Sequence, residues 1–168
     1  ADVEVEPYGP WEVPWARVGL TLGLPGALRD VAWFGQGPGP AYPDMATAAR
    51  TGAYRTTVDE LQTPYVFPQE NGARAGVRWA ELSGPPGRLC VGGDPVLGLS
   101  VRRWTTAQLA AARHTVDLAP GDSVWVTLDA AHHGLGSPTS GAAVLPQHEL
   151  PARPVRFTVR FAARTDAL

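Results

Sequence analysis

Apolar residues recur at every second position along much of this chain. Between 155 and 161, Val155, Phe157, Val159 and Phe161 alternate with Arg156, Thr158 and Arg160, the spacing of a strand with one buried and one wet face. Short apolar runs closed by glycine or proline at 15–24 and 29–35 read as further strands. So do 95–104, 122–134, 153–164 and 73–83, the last placing Ala75, Val77, Trp79 and Glu81 on one face opposite a mixed one. Pro120-Gly121 and Gly92-Gly93 are expected turns, and Trp79 and Trp125, in alternating runs, are expected to be largely buried. One helix stands out near residues 105–114: Thr105 or Thr106 suits its N-cap and Gln108 the capping-box position, followed by Leu and Ala up to Arg113 and His114. A weaker helical turn is expected at 56–62. The pattern predicts an all-β antiparallel sandwich, a single domain covering 1–168, with one short helix.

Composition narrows the function classes. With 44% hydrophobic and 18% charged residues and a net charge of -2, the chain is neither disordered nor a candidate nucleic-acid binder. Every basic residue is arginine, isoleucine is absent and Asn71 is the only asparagine, a bias read as GC-rich codon usage. Cys90 is the single cysteine; it has no internal disulfide partner and is expected in a core strand. No apolar run reaches membrane-spanning length. The first ten residues lack the apolar core of a signal peptide, so a cytoplasmic location is expected. A strand at the very start without an initiator methionine reads as a piece cut from a longer polypeptide.

Candidate chemistry is sparse. A glycosidase needs two carboxylates about 5 to 10 Å apart, and Asp44, Glu70, Asp129 and Glu149 are the candidates, none in a motif that fixes a pair. Neighbours on a strand point to opposite faces, so His132 and His133 cannot both hold one ion without a bulge, and at most one faces a site. Ser137, Thr139 and Ser140 occupy a small-residue loop without the strand-to-helix elbow of a serine hydrolase. One or two of the six tryptophans are candidate sugar platforms.

Residues 31–82, with "TPYVFPQENG" at 63–72, together with 99–118 and "VWVTLDAAHHGLGS" at 124–137, resemble in order and spacing the C-terminal small-chain domain of bacterial lactose-type β-galactosidases, glycoside hydrolase family two. The resemblance runs from about Arg17 to Ala162. In "TPYVFPQENG", Pro64 and Pro68 are expected to hold the backbone extended. Asn71-Gly72 is expected to supply the positive φ angles of a hairpin turn leading into a central strand.

That resemblance implies a portion of a super-sandwich domain similar in fold to galactose mutarotase, packed beside a catalytic barrel that carries both catalytic glutamates. The isolated chain would then be inactive, with no catalytic residue of its own. Its partners would be the remaining domains of the parent enzyme, especially the barrel, with galactosides met through the intact enzyme and neither nucleic acid nor membrane involved. No cofactor would bind here; the magnesium or sodium of the parent enzyme would sit in other domains. The family domain reaches the active site through one loop, here 132–150, which makes His133, Gly134, Gly136, Ser137, Ser140 and Gly141 the candidate rim residues, with no metal ligand among them. The stretch Gly134 to Gly141 is expected to be weakly held without the barrel. Some family members stack a tryptophan of this loop on substrate; Ser140, Gly141 and Ala142 stand here instead. Pro40 and Ala41 likewise replace usual acidic and amide residues. The alternatives are a free-standing carbohydrate-binding module, and an aldose mutarotase with Glu70 as base and His132 or His133 as acid.

Overall fold

Residues 1–136 and 143–164 are described by a computed structural model. Along the chain these residues form β1 (Asp2–Val5), β2 (Arg17–Pro25), β3 (Asp30–Gly37), β4 (Arg50–Thr57), β5 (Arg74–Val77), β6 (Trp79–Gly84), β7 (Gly87–Asp94) and β8 (Leu97–Arg102), then α1 (Thr106–Ala111), β9 (Ser123–His132) and β10 (Val155–Arg164). Two antiparallel sheets result, one of six strands in the order β1-β10-β7-β6-β3-β4 and one of four in the order β2-β9-β8-β5. The expected all-β sandwich with one short helix is the fold. Alternation explains the core: Val31, Trp33, Ala80, Leu82, Val91, Phe157 and Val159 of the large sheet pack with Leu97, Leu99, Val101, Val124, Val126 and Leu128 of the small one.

The run 73–83 is two strands in two sheets. β5 ends at Val77 in the small sheet, Arg78 donates its backbone N–H to the carbonyl of Phe34 (2.9 Å) and β6 starts at Trp79 in the large sheet. The alternation restarts across this crossover. Ala80 and Leu82 turn inward, and Trp79 is 45% exposed on the outer face, contrary to its expected burial. Trp125 is only half-buried: its neighbours Val124 and Val126 take the inward positions, and its ring lies over Gly23, where an added Cβ would come within 3.2 Å.

Other expectations are corrected in the same way. Gly92 and Gly93 lie inside β7, and the turn before it is Pro85-Pro86. Cys90 sits in that strand, half-buried rather than in the core, with its thiol 3.6 Å from Glu81 Oε2. Phe161 is 42% exposed, in the part of β10 that runs on past its pairing with β1, which ends at Thr158. The helix has Thr105 as N-cap and the capping box with Gln108 but stops at Ala112; a separate 3-10 turn covers Thr115–Asp117. Beyond β4 the chain makes a turn at 58–61 with no helix. No described helix is long and apolar enough to cross a membrane.

The segment 63–73 forms no hairpin. Only Gly72 of the Asn71-Gly72 pair has positive φ (76°). The Asn71 amide staples the segment, accepting from the Thr63 N–H (2.9 Å) and donating to the Gln69 carbonyl (3.0 Å). The segment then enters β5, an edge strand of the small sheet.

Candidate functional site

A bulge in β9 creates the principal polar cluster. Val18 pairs with Ala131 but Gly19 pairs with Asp129, so Ala130 is an extra residue. The extra residue reverses the alternation, and Asp129 and His132, three apart, both reach Arg17 of β2. Gly19 permits this approach, since a Cβ there would lie 2.3 Å from the Leu128 carbonyl oxygen. Arg17 Nη2 donates to Glu70 Oε2 (2.7 Å) and to His132 Nε2 (3.0 Å), and Nη1 lies 3.5 Å from Asp129 Oδ2. Arginine can only donate, so His132 Nε2 accepts and Nδ1 carries the proton that faces the His133 carbonyl. Arg102, at the end of β8, donates to Glu70 Oε1 and to the Asn71 carbonyl (2.9 Å). Tyr42 donates to the same Glu70 oxygen (3.1 Å) and accepts from the Ala73 N–H (3.2 Å).

Burial sets the protonation states. Glu70 loses hydration, which pushes its carboxyl up, but the guanidiniums of Arg102 and Arg17 outweigh this and hold it below the usual range. Asp129, only 3% exposed, is pushed up by burial to about 6, with Arg17 opposing. Burial also lowers His132, which keeps it neutral, and raises the Tyr42 phenol, aided by the Glu70 charge. A carboxylate clamped by two guanidiniums is a poor acid or base, and Arg17 ties up Glu70 and His132 together, so this arrangement disfavours proton transfer by that pair.

Asp129 has a measurable consequence for stability. Its pKa rises from 3.8 unfolded to about 6 folded, so the fold binds this proton more tightly. The stabilisation is complete below the unfolded value and is lost as pH climbs through the folded one, about 2 to 3 kcal/mol across the window. Glu70 acts in the opposite sense, contributing above its ordinary pKa and losing that contribution as pH falls. Asp129→Asn should therefore gain on the parent chain as pH rises across the Asp129 window. Melting curves below and above that window check this; parallel pH profiles for the two proteins would contradict it.

The segment after β9 is held at its start by a second set of contacts. The Asp44 carboxylate accepts the N–H groups of Leu135 and Gly136, both at 2.8 Å, and the Gly134 N–H reaches the His148 carbonyl (2.9 Å). His133 donates its backbone N–H to Ala16 (3.0 Å), and its ring Nδ1 accepts the Leu150 N–H (3.0 Å). Of the candidate rim residues, His133, Gly134 and Gly136 thus lie in a fastened stretch, and Ser137, Ser140 and Gly141 fall outside the described residues. At 134–136, within the stretch expected to be weakly held, three backbone N–H groups find acceptors, two of them on Asp44, which is remote in sequence. Glu149 is exposed.

Arg17, Tyr42, Arg74 and Arg102 were not legible as site residues. The available signal was an arginine in a strand whose same-face neighbours are small: Gly19 and Gly23 beyond Arg17, Ser100 and Gly98 before Arg102. Among the described residues no group of three or more His, Cys, Asp or Glu is placed to hold a metal ion.

Comparison with known proteins gives the chain a family. A family profile described as beta galactosidase small chain matches residues 1–161. The Beta-galactosidase of Vibrio cholerae serotype O1 is 44% identical over 127 residues, which are 76% of this chain and 12% of that protein. That of Arthrobacter sp. (strain B7) is 36% identical over 155 residues, 88% of this chain and 15% of the relative. For Vibrio vulnificus (strain YJ016) the figures are 35% over 151 residues, 88% and 14%. The chain therefore spans 12% to 15% of the length of these relatives.

Proposed function

Because the chain belongs to the beta-galactosidase small-chain family, we propose that it is the non-catalytic C-terminal portion of a β-galactosidase acting on terminal non-reducing β-D-galactose. It scaffolds the catalytic barrel and lends the segment that begins at His133 to the active-site rim. Both catalytic glutamates belong to the barrel, and any magnesium or sodium is bound by other domains. The observation that carries this reading is the double fastening of 133–136, through Asp44 on one side and His148 and Leu150 on the other. One carboxylate that accepts two consecutive backbone N–H groups holds the segment in a single course, the preorganisation that a contribution to an active-site rim calls for.

The test has two arms. The purified chain should leave a chromogenic β-galactoside unhydrolysed, because two positioned carboxylates supply the chemistry. In the complete polypeptide, Asp44→Ala should lower kcat/KM roughly tenfold to a hundredfold through misplacement of the rim. Ser140→Arg, a bulky charge in the same loop, should likewise impair turnover. Hydrolysis by the chain alone, or unchanged kinetics in both variants, would overturn the proposal.

A further inference from the structure

Beside the bulge lies a cavity of about 170 Å³ whose polar lining is Asp129, His132, Tyr42 and Arg74; alanine, glycine, proline and valine form the rest. His132 and Tyr42 are already engaged in hydrogen bonds at both nitrogens and at the phenol oxygen. Asp129 is not. Its side chain is 2% exposed, and neither carboxylate oxygen makes a hydrogen bond. Its nearest cation, Arg17 Nη1 at 3.5 Å, also lacks a hydrogen bond. Two acceptor oxygens buried without donors are rare in folded proteins, because the desolvation of each is uncompensated.

We propose that this cavity binds a neutral polyhydroxyl compound no larger than a single sugar ring, through two hydroxyl groups that donate to the Asp129 carboxylate. Charge selects the class. Arg17, Arg74 and Arg102 outnumber Glu70 and Asp129 by one, so a cation meets net repulsion, and an anion is opposed by the carboxylate it would touch. A hydroxyl both donates and accepts, which suits an open carboxylate standing next to an open guanidinium nitrogen. Size selects the scale: the volume lies below the roughly 300 Å³ at which drug-sized pockets begin, yet exceeds what one water needs. The small apolar walls offer contact to the C–H faces of a sugar, as pockets for such ligands do. The assignment rests on this cavity alone and does not depend on the galactosidase reading.

Crystals of the complete polypeptide soaked in D-galactose, D-glucose or glycerol test it, because density locates binding independently of any other site. The expected result is a ligand seated in the cavity with two oxygens within about 3 Å of the Asp129 carboxylate oxygens. Across a soak series, Asp129→Asn should require roughly tenfold more ligand for the same occupancy, since a charge-assisted pair is replaced by a neutral one. Ala75→Leu, which fills the cavity from β5 and leaves the carboxylate untouched, should abolish occupancy. If Asp129→Asn does not crystallise, Ala75→Leu decides alone. Water or a metal ion as sole occupant with all three probes would overturn the proposal, as would occupancy unchanged by either variant.

Discussion

Glu70→Ala should destabilise the fold by about 3 to 5 kcal/mol, the range for removing one partner of a buried ion pair. The reason lies in what remains. Arg102 is 3% exposed and keeps only the Asn71 carbonyl among its hydrogen bonds, and Arg17 would keep His132 and the more distant Asp129. Tyr42 would lose the acceptor for its hydroxyl. Glu70→Gln, which retains an acceptor oxygen for Tyr42 without the charge, should fall between the parent and the alanine variant. Urea midpoints for the three proteins provide the measurement. A loss under about 1 kcal/mol for Glu70→Ala would show that water reaches the guanidiniums, as at a surface ion pair.

Trp33→Ala should produce a loss of similar size, about 3 to 5 kcal/mol, by leaving a cavity between the sheets. Trp33 is 1% exposed, its indole N–H donates to the Gln36 carbonyl (3.0 Å), and Tyr54 and Arg74 lie against its ring at 5.3 and 5.4 Å. Arg74 makes the loss more than a matter of volume. It is 4% exposed, and burial lowers its pKa to about 10, so the ring face is among the contacts that make its buried charge tolerable. Trp79→Ala, on the outer face, should change stability by less than about 1 kcal/mol. Similar losses at both tryptophans would mean that the outer face of the large sheet is covered in the folded chain.

The contrast between these two tryptophans shows what the sequence pattern can and cannot say. Alternation located most strands, because inward positions of β3, β8, β9 and β10 are filled with large aliphatic or aromatic residues. It was silent on β4, an edge strand without a fully buried residue, and it misread β7. There Gly92-Gly93 has the composition of a turn, but glycine at 93 leaves room for Leu97: a Cβ would lie 2.5 Å from Leu97 Cδ1. Nor could alternation reveal that Val77 and Trp79 belong to different sheets, since the crossover at Arg78 introduces no proline and keeps the apolar spacing. Among the chemistry-bearing residues, Glu70, Asp129 and His132 were visible as isolated candidates. Their assembly was not, because it depends on long arginines arriving from β2 and β8 and on one unpaired residue in β9.

That unpaired residue gives the site a dependence on arithmetic. Ala130 has no ionisable group, yet without the bulge the same residues in strict in-and-out order would put His132, three places on from Asp129, on the other side of the sheet. The hydrophobic content of the strand would hardly change, and every catalogued side chain of the cluster would still be present. Two relatives can therefore share all the charged residues of this cluster and still differ in whether they possess the site, according to whether an odd spacing between the aspartate and the histidine is matched by a bulge. A chain one residue shorter between the two would keep them on one side of a regular strand, so deleting Ala130 is compatible with the site whereas flattening the bulge is not.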